Sequence, residues 1–147
     1  MPRIGRSIVR LWDFPLIGSC RRSALAPRSD PQPGVLGAGI PPAAASASAV
    51  LDAYLRAVVA DDCKTAHGLA SSTLTYGNGE LCGDVHVSSF SVSKSPANPS
   101  PDEVIYASVL ITGGSEDGTI PKGKTTWFYD LTREGGVWKL ASGGSGP

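Results

Sequence analysis

The stretch that decides the fold is AAASASAVLDAYLRAVVA, residues 43–60, which comes directly after the pair Pro41-Pro42. Alanine is the best helix former, and proline is tolerated at or before a first helical turn. Ala47, Val50, Leu51, Tyr54, Leu55 and Val58 recur at steps of three and four, the mark of an amphipathic helix with one buried stripe. A helix of this kind needs a partner surface. The rest of the chain has to supply it.

Moving outward toward the C-terminus, Asp61-Asp62 offers an N-cap for a second, short helix over CKTAHGLA, residues 63–70. Residues 71–83 read as a loop punctuated by Gly77-Asn78-Gly79. The chemistry then turns to strands. Val85 to Val92 is rich in β-branched residues, but its apolar parity shifts: Val85 and Val87 are odd, Phe90 and Val92 even. A bulge near Ser88-Ser89 reconciles the two halves and bends the strand.

Residues 95–101 (SPANPSP) read as a loop. Glu103 to Thr112 is apolar on both parities, as in a strand covered on both faces. Residues 113–123 form a long turn region, Lys124 to Arg133 an aromatic strand, and Glu134-Gly135-Gly136 a tight hairpin into Val137–Ala141. Ser142 to Pro147 reads as a flexible tail. The expected fold class is α+β, with N-terminal helices packed on a curved antiparallel four-stranded sheet.

Toward the N-terminus the composition changes. Residues 1–42 read as a disordered basic arm, or as a defective or misassigned signal region, and residues 43–147 as the folded domain. The whole chain carries 13 basic and 13 acidic residues, yet Arg3, Arg6, Arg10, Arg21, Arg22 and Arg28 face only Asp13 and Asp30 in the arm. Such an arm can touch anionic lipid, giving a peripheral membrane contact. The body has no basic patch, which argues against nucleic acid.

Residues 8–17 are the best export h-region, but Arg10 and Asp13 interrupt it. Ile17-Gly18-Ser19-Cys20 resembles a lipoprotein cleavage box that would lipidate Cys20, and a second weak cleavage site lies near Ala47. No apolar run is long enough to span a bilayer.

Gly118-Thr119-Ile120-Pro121-Lys122-Gly123-Lys124-Thr125 satisfies the phosphate-loop pattern to the letter. The mechanism also needs a helix starting at Lys-Thr, so that its amides face the phosphates. The next residues, Thr126-Trp127-Phe128-Tyr129, have strand chemistry instead. The segment is expected to be a hairpin loop, with no nucleotide bound.

Cys63 and Cys82 sit on the short helix and just before the first strand. In an exported protein they could pair and tie helix to sheet, which contributes about 3 kcal/mol for a loop of about 20 residues. In a cytosolic protein they would be two buried thiols. There is no Cys-x-x-Cys and no histidine ladder, so neither a metal nor another cofactor is expected.

His67, His86, Asp84 and Asp130 are the acid–base candidates, each also readable as a solvated or structural residue. Neither Ser115 nor Ser145 sits in a G-x-S-x-G elbow. Trp127 and Trp138 read as core or sheet-face anchors.

The segments YLRAVVADDCKTA (54–66), Leu81-Cys82-Gly83, WFYDLTR (127–133) and GVWKL (136–140) with the closing GGSGP resemble small exported actinobacterial proteins of the nuclear transport factor 2-like (NTF2-like, cystatin-like fold) superfamily. The resemblance spans residues 46–147. It implies a bent antiparallel sheet wrapped around the first helix, leaving a cavity, and an extracytoplasmic address through a lipoprotein-type signal. The arm departs from that signal.

The superfamily includes isomerases, dehydratases and polyketide cyclases alongside exported domains without known activity. The resemblance leaves two readings. One is a non-enzymatic module of the cell envelope that binds a small ligand or an envelope protein. The other is a small lyase or isomerase of the polyketide-cyclase or ketosteroid-isomerase type, which requires Asp130, His86 or Asp84 to point into the cavity.

Overall fold

A computed structural model describes residues 39–93 and 97–146. The expectations for residues 1–38, including most of the basic arm and the lipidation of Cys20, lie outside the described residues.

Helix α1 runs over Ala47–Val59. It starts four residues later than the alanine run suggests, because the Ser46 side chain accepts from the Ala49 amide and fixes the first turn there. The whole expected stripe is buried, with Ala57 in addition. Asp61 then takes a left-handed conformation (φ 55°), the position after a helix end that glycine usually fills and aspartate tolerates. Asp62 caps α2, Cys63–Leu69, by accepting from the Thr65 amide and hydroxyl. The two aspartates thus divide the work of ending one helix and starting the next.

A 3₁₀ turn, Tyr76–Asn78, precedes the sheet. Its strands are β1 Val85–Val92, β2 Ala97–Ser100, β3 Glu103–Ser115, β4 Gly123–Glu134 and β5 Val137–Gly144. The antiparallel path is β1-β3-β4-β5, and the short β2 pairs with β3 beyond the end of β1. β2 falls within the segment 95–101 expected to be a loop. Pro99 is compatible with it because the strand pairs on one side only.

The bulge is where the parity shift places it. Register breaks fall between Val85 and Ser89, and they leave Val87 opposite Thr112 and Phe90 opposite Leu110. Val85, Val87, Phe90 and Val92 therefore share the face turned toward α1.

β3 departs from its expected cover on both faces. Val104, Ser108, Leu110 and Thr112 are buried against the helix layer, whereas the opposite side, with Ile105, Ala107 and Val109, is half-exposed and Ile111 is exposed. Strand β5 runs to Gly144, through what reads as a flexible tail. Gly143 makes this possible. A Cβ there would lie 2.9 Å from Trp127 Nε1 and 3.1 Å from the Tyr129 ring.

Candidate functional site

Cys63 and Cys82 form a disulfide, with Cα atoms 5.4 Å apart. The bridge ties the first turn of α2 to the residues leading into β1. Further tethers hold α2 against β5: the Ser71 amide donates to the Leu140 carbonyl at 2.8 Å, and Lys139 Nζ donates to the Gly68 carbonyl.

The sequence-named acids and bases do not converge. Asp84 and His86 are exposed, and His86 lies outward between the buried Val85 and Val87. Asp130 pairs with Ile105 on the outer face of the sheet, away from α1. It lines a shallow recess of about 180 Å³ with Phe128 and Ser142. Burial, then the neighbouring Glu103 carboxylate, raises its pKa. This corrects the requirement set by the lyase or isomerase reading: none of the three points into the space between helix and sheet. Lys124 and Thr125, the last residues of the phosphate-loop pattern, lie inside β4 opposite Ile111 and Leu110, so no helix end faces that turn.

His67 Nε2 lies 3.0 Å from Glu80 Oε1, outside hydrogen-bond alignment. The Glu80 side chain is only 11% exposed, and burial raises its pKa in spite of His67.

Glu80 belongs to an interior polar group that sequence reading missed. Tyr54 on α1 and Tyr129 on β4 are fully buried, with rings 5.5 Å apart edge to face. Burial, reinforced by nearby Glu80, raises the pKa of the Tyr54 phenol; burial, then Tyr54 and Glu80, raises that of Tyr129. Both phenols therefore remain protonated at neutral pH. Their oxygens have no protein hydrogen-bond partner within alignment, nor have Ser108 Oγ, Trp127 Nε1 and Thr125 Oγ1. Four of these side chains sit on one inner face, since Tyr129, Trp127 and Thr125 alternate along β4 and Ser108 is opposite Trp127. An alternating aromatic strand with a single acidic residue before Leu81 was the only signal for this group in the sequence.

A cavity of about 470 Å³ opens at one end of the inner face. Its wall is the start of α1 (Ala44–Ala47), the β2–β3 turn, Val104 and Tyr106 of β3, and Arg133 and Trp138 at the β4–β5 hairpin. The turn residues Gly135 and Gly136 both have positive φ, so the hairpin closes tightly and brings Arg133 opposite Trp138. The Arg133 guanidinium lies 4.9 Å from the centre of the Trp138 ring, a cation–π contact. The size is that of small-molecule sites, and the lining joins apolar side chains to one fixed cation. A second groove, about 650 Å³, runs between α1 and the β1 edge, lined by Val59, Phe90 and Val92 with the Asp52–Arg56 ion pair on its rim.

No protein-family model matches the chain, and no curated protein matches it. Among solved structures it is similar to an NTF2-like protein of unknown function in nutrient uptake from Rhodospirillum rubrum. The two are 19% identical over 67% of this chain and 95% of that one, with a TM-score of 0.49.

Proposed function

We propose that residues 43–147 form a non-enzymatic, NTF2-like, extracytoplasmic domain that holds a small ligand at the open end of its inner face. The observation that carries this reading is the 470 Å³ cavity in which Arg133 is stacked on Trp138. It is a built recess with an orienting charge, and Asp84, His86 and Asp130 line no part of it. The disulfide supports an oxidising compartment, since such bonds persist outside the cytosol. No helix among the described residues is long and apolar enough to cross a membrane.

The lyase or isomerase reading has one observation in its favour. Two protonated phenols beside Glu80 are donors of the kind that hold a developing oxyanion. Both tyrosines are fully buried, however, and a reacting group would have to displace core side chains to reach them. Binding without turnover is the better fit.

Isothermal titration with hexanoate, hexanol and hexylamine tests the proposal. At least one is expected to bind one to one, and Ala44→Trp, which fills the cavity from its exposed wall, is expected to abolish that binding without unfolding the protein. Silence from all three, or binding indifferent to the block, contradicts it.

A further inference from the structure

Resting on that reading, we infer that the cavity selects an organic carboxylate: an acid group on Arg133 and the start of α1, with an aliphatic body against Val104, Tyr106 and the alanines. Two independent features favour a negative charge at one end, and a third leaves it unopposed. The first is Arg133 itself, held over the indole face. Among the described residues its guanidinium has no carboxylate within ion-pair distance; the close contacts of that kind are Arg56 with Asp52 and His67 with Glu80.

The second feature is helix α1, 13 residues long, whose first turn contains no acidic residue. Helix starts carry partial positive charge, ordinarily offset by Asp or Glu in that turn. Of the first-turn amides Ser46 Oγ accepts only that of Ala49, its other contact being the Ser48 hydroxyl, so the amides of Ala47 and Ser48 have no acceptor within the helix. Ala44, Ala45, Ser46 and Ala47 line the cavity at this end of α1. The third is the direction of the neighbouring acid. Glu103 contributes to the cavity wall, but its register opposite Thr132 puts its side chain on the outer face, where it acts on Asp130.

Opposite these charges the wall is apolar or small: Ala45, Ala47, Val104 and the Tyr106 ring. A carboxylate matches the fork of a guanidinium, whose planar donors engage two oxygens at once. A free inorganic anion would satisfy the charge but leave the apolar wall wet. An amine would meet like charge from both Arg133 and the helix start. The chemistry that uses the whole recess is a monocarboxylate with a short hydrocarbon chain.

The test uses the same three six-carbon probes with the full chain. Hexanoate is expected to bind at least about tenfold more tightly than hexanol, in keeping with a charged hydrogen-bond pair, and hexylamine least. Arg133→Gln is expected to lower hexanoate affinity about tenfold or more while leaving hexanol unchanged. Arg133→Lys should fall between the two. Raising salt should weaken hexanoate only.

Arg133 is exposed, so these variants give up little beyond the indole contact, about 0.5–1 kcal/mol, and stay folded at the titration temperature. Equal affinity for hexanol and hexanoate, an Arg133→Gln protein that still prefers the acid, or inorganic phosphate displacing hexanoate at matched ionic strength would each overturn the inference. In the first two cases ligand binding itself survives. If none of the three probes binds, the functional reading falls as well.

Discussion

Replacing both bridged cysteines, Cys63→Ala with Cys82→Ala, should cost stability chiefly through the unfolded chain. The bond closes a loop with a sequence separation of 19, and losing that restraint is worth about 3 kcal/mol in the chain-entropy account. The folded state should change little. Ala66 and Leu69 remain buried against the core, the Ser71–Leu140 backbone bond remains, and so does the Lys139 contact with Gly68.

For a domain of about 100 residues, each kcal/mol lowers the melting temperature by roughly 4–8 °C. The double variant should therefore melt about 12–24 °C below the parent. Urea unfolding should show a lower midpoint with a slope as steep or steeper, because the uncrosslinked unfolded chain exposes more surface. The assay is paired thermal and urea unfolding by circular dichroism, with native spectra compared at room temperature. A loss under about 1 kcal/mol would refute the reasoning. So would native spectra showing α2 undocked, since the bond would then be holding the folded state together directly.

Gly143→Ala places a methyl group against Trp127 Nε1 and the Tyr129 ring. It should destabilise by about 1–3 kcal/mol, as overpacked cores do, read from the urea midpoint. Asp117 accepts from the Ser115 hydroxyl, from the Thr119 amide and hydroxyl, and from the Tyr76 hydroxyl, which together hold its pKa well below the usual carboxylate range. Its contribution is complete above its unfolded pKa of about 4 and is lost as pH falls toward the depressed folded value. Asp117→Asn should therefore lose stability at neutral pH and show a flatter decline below about pH 4, from the same linkage. Glu80 carries the opposite sign. Its raised pKa makes stability fall as pH climbs through the folded value, so Glu80→Gln should remove that descending slope in unfolding midpoints taken across mildly acidic pH.

Much of the architecture was legible in the chain because single residues carry unambiguous geometry. The three- and four-residue spacing from Ala47 to Val58 gives the buried stripe of α1, and the parity change at Ser88-Ser89 gives the bulge. What escaped was decided by contacts between distant segments. Alanine propensity alone starts the helix at residue 43, and only the Ser46 cap moves the start to Ala47. Gly143 looks like a tail residue until the tryptophan and tyrosine beside it explain why the strand must lack a side chain there. Pro99 hid β2, since a proline in a short segment reads as loop unless the strand has only one neighbour.

The candidate site was the least visible part. Arg133 and Trp138 flank a hairpin that its glycine pair makes plain, yet their stacking depends on the register across it. The cavity they line is completed by the start of α1, far away in the chain. Histidine and aspartate drew attention as chemistry-bearing types, but Asp84, His86 and Asp130 ended up outside the inner face. The buried Tyr54–Tyr129–Glu80 group has no local pattern, because its members come from a helix, a strand and the loop between helix and sheet.

Amide and indole resonances monitored during a hexanoate titration give the most direct test of the binding account. Displacements confined to Ala44–Ala47, Val104, Tyr106, Arg133 and the Trp138 indole are the predicted result. Displacements centred on Val59, Phe90 and Val92, or none at all up to saturating acid, would contradict it.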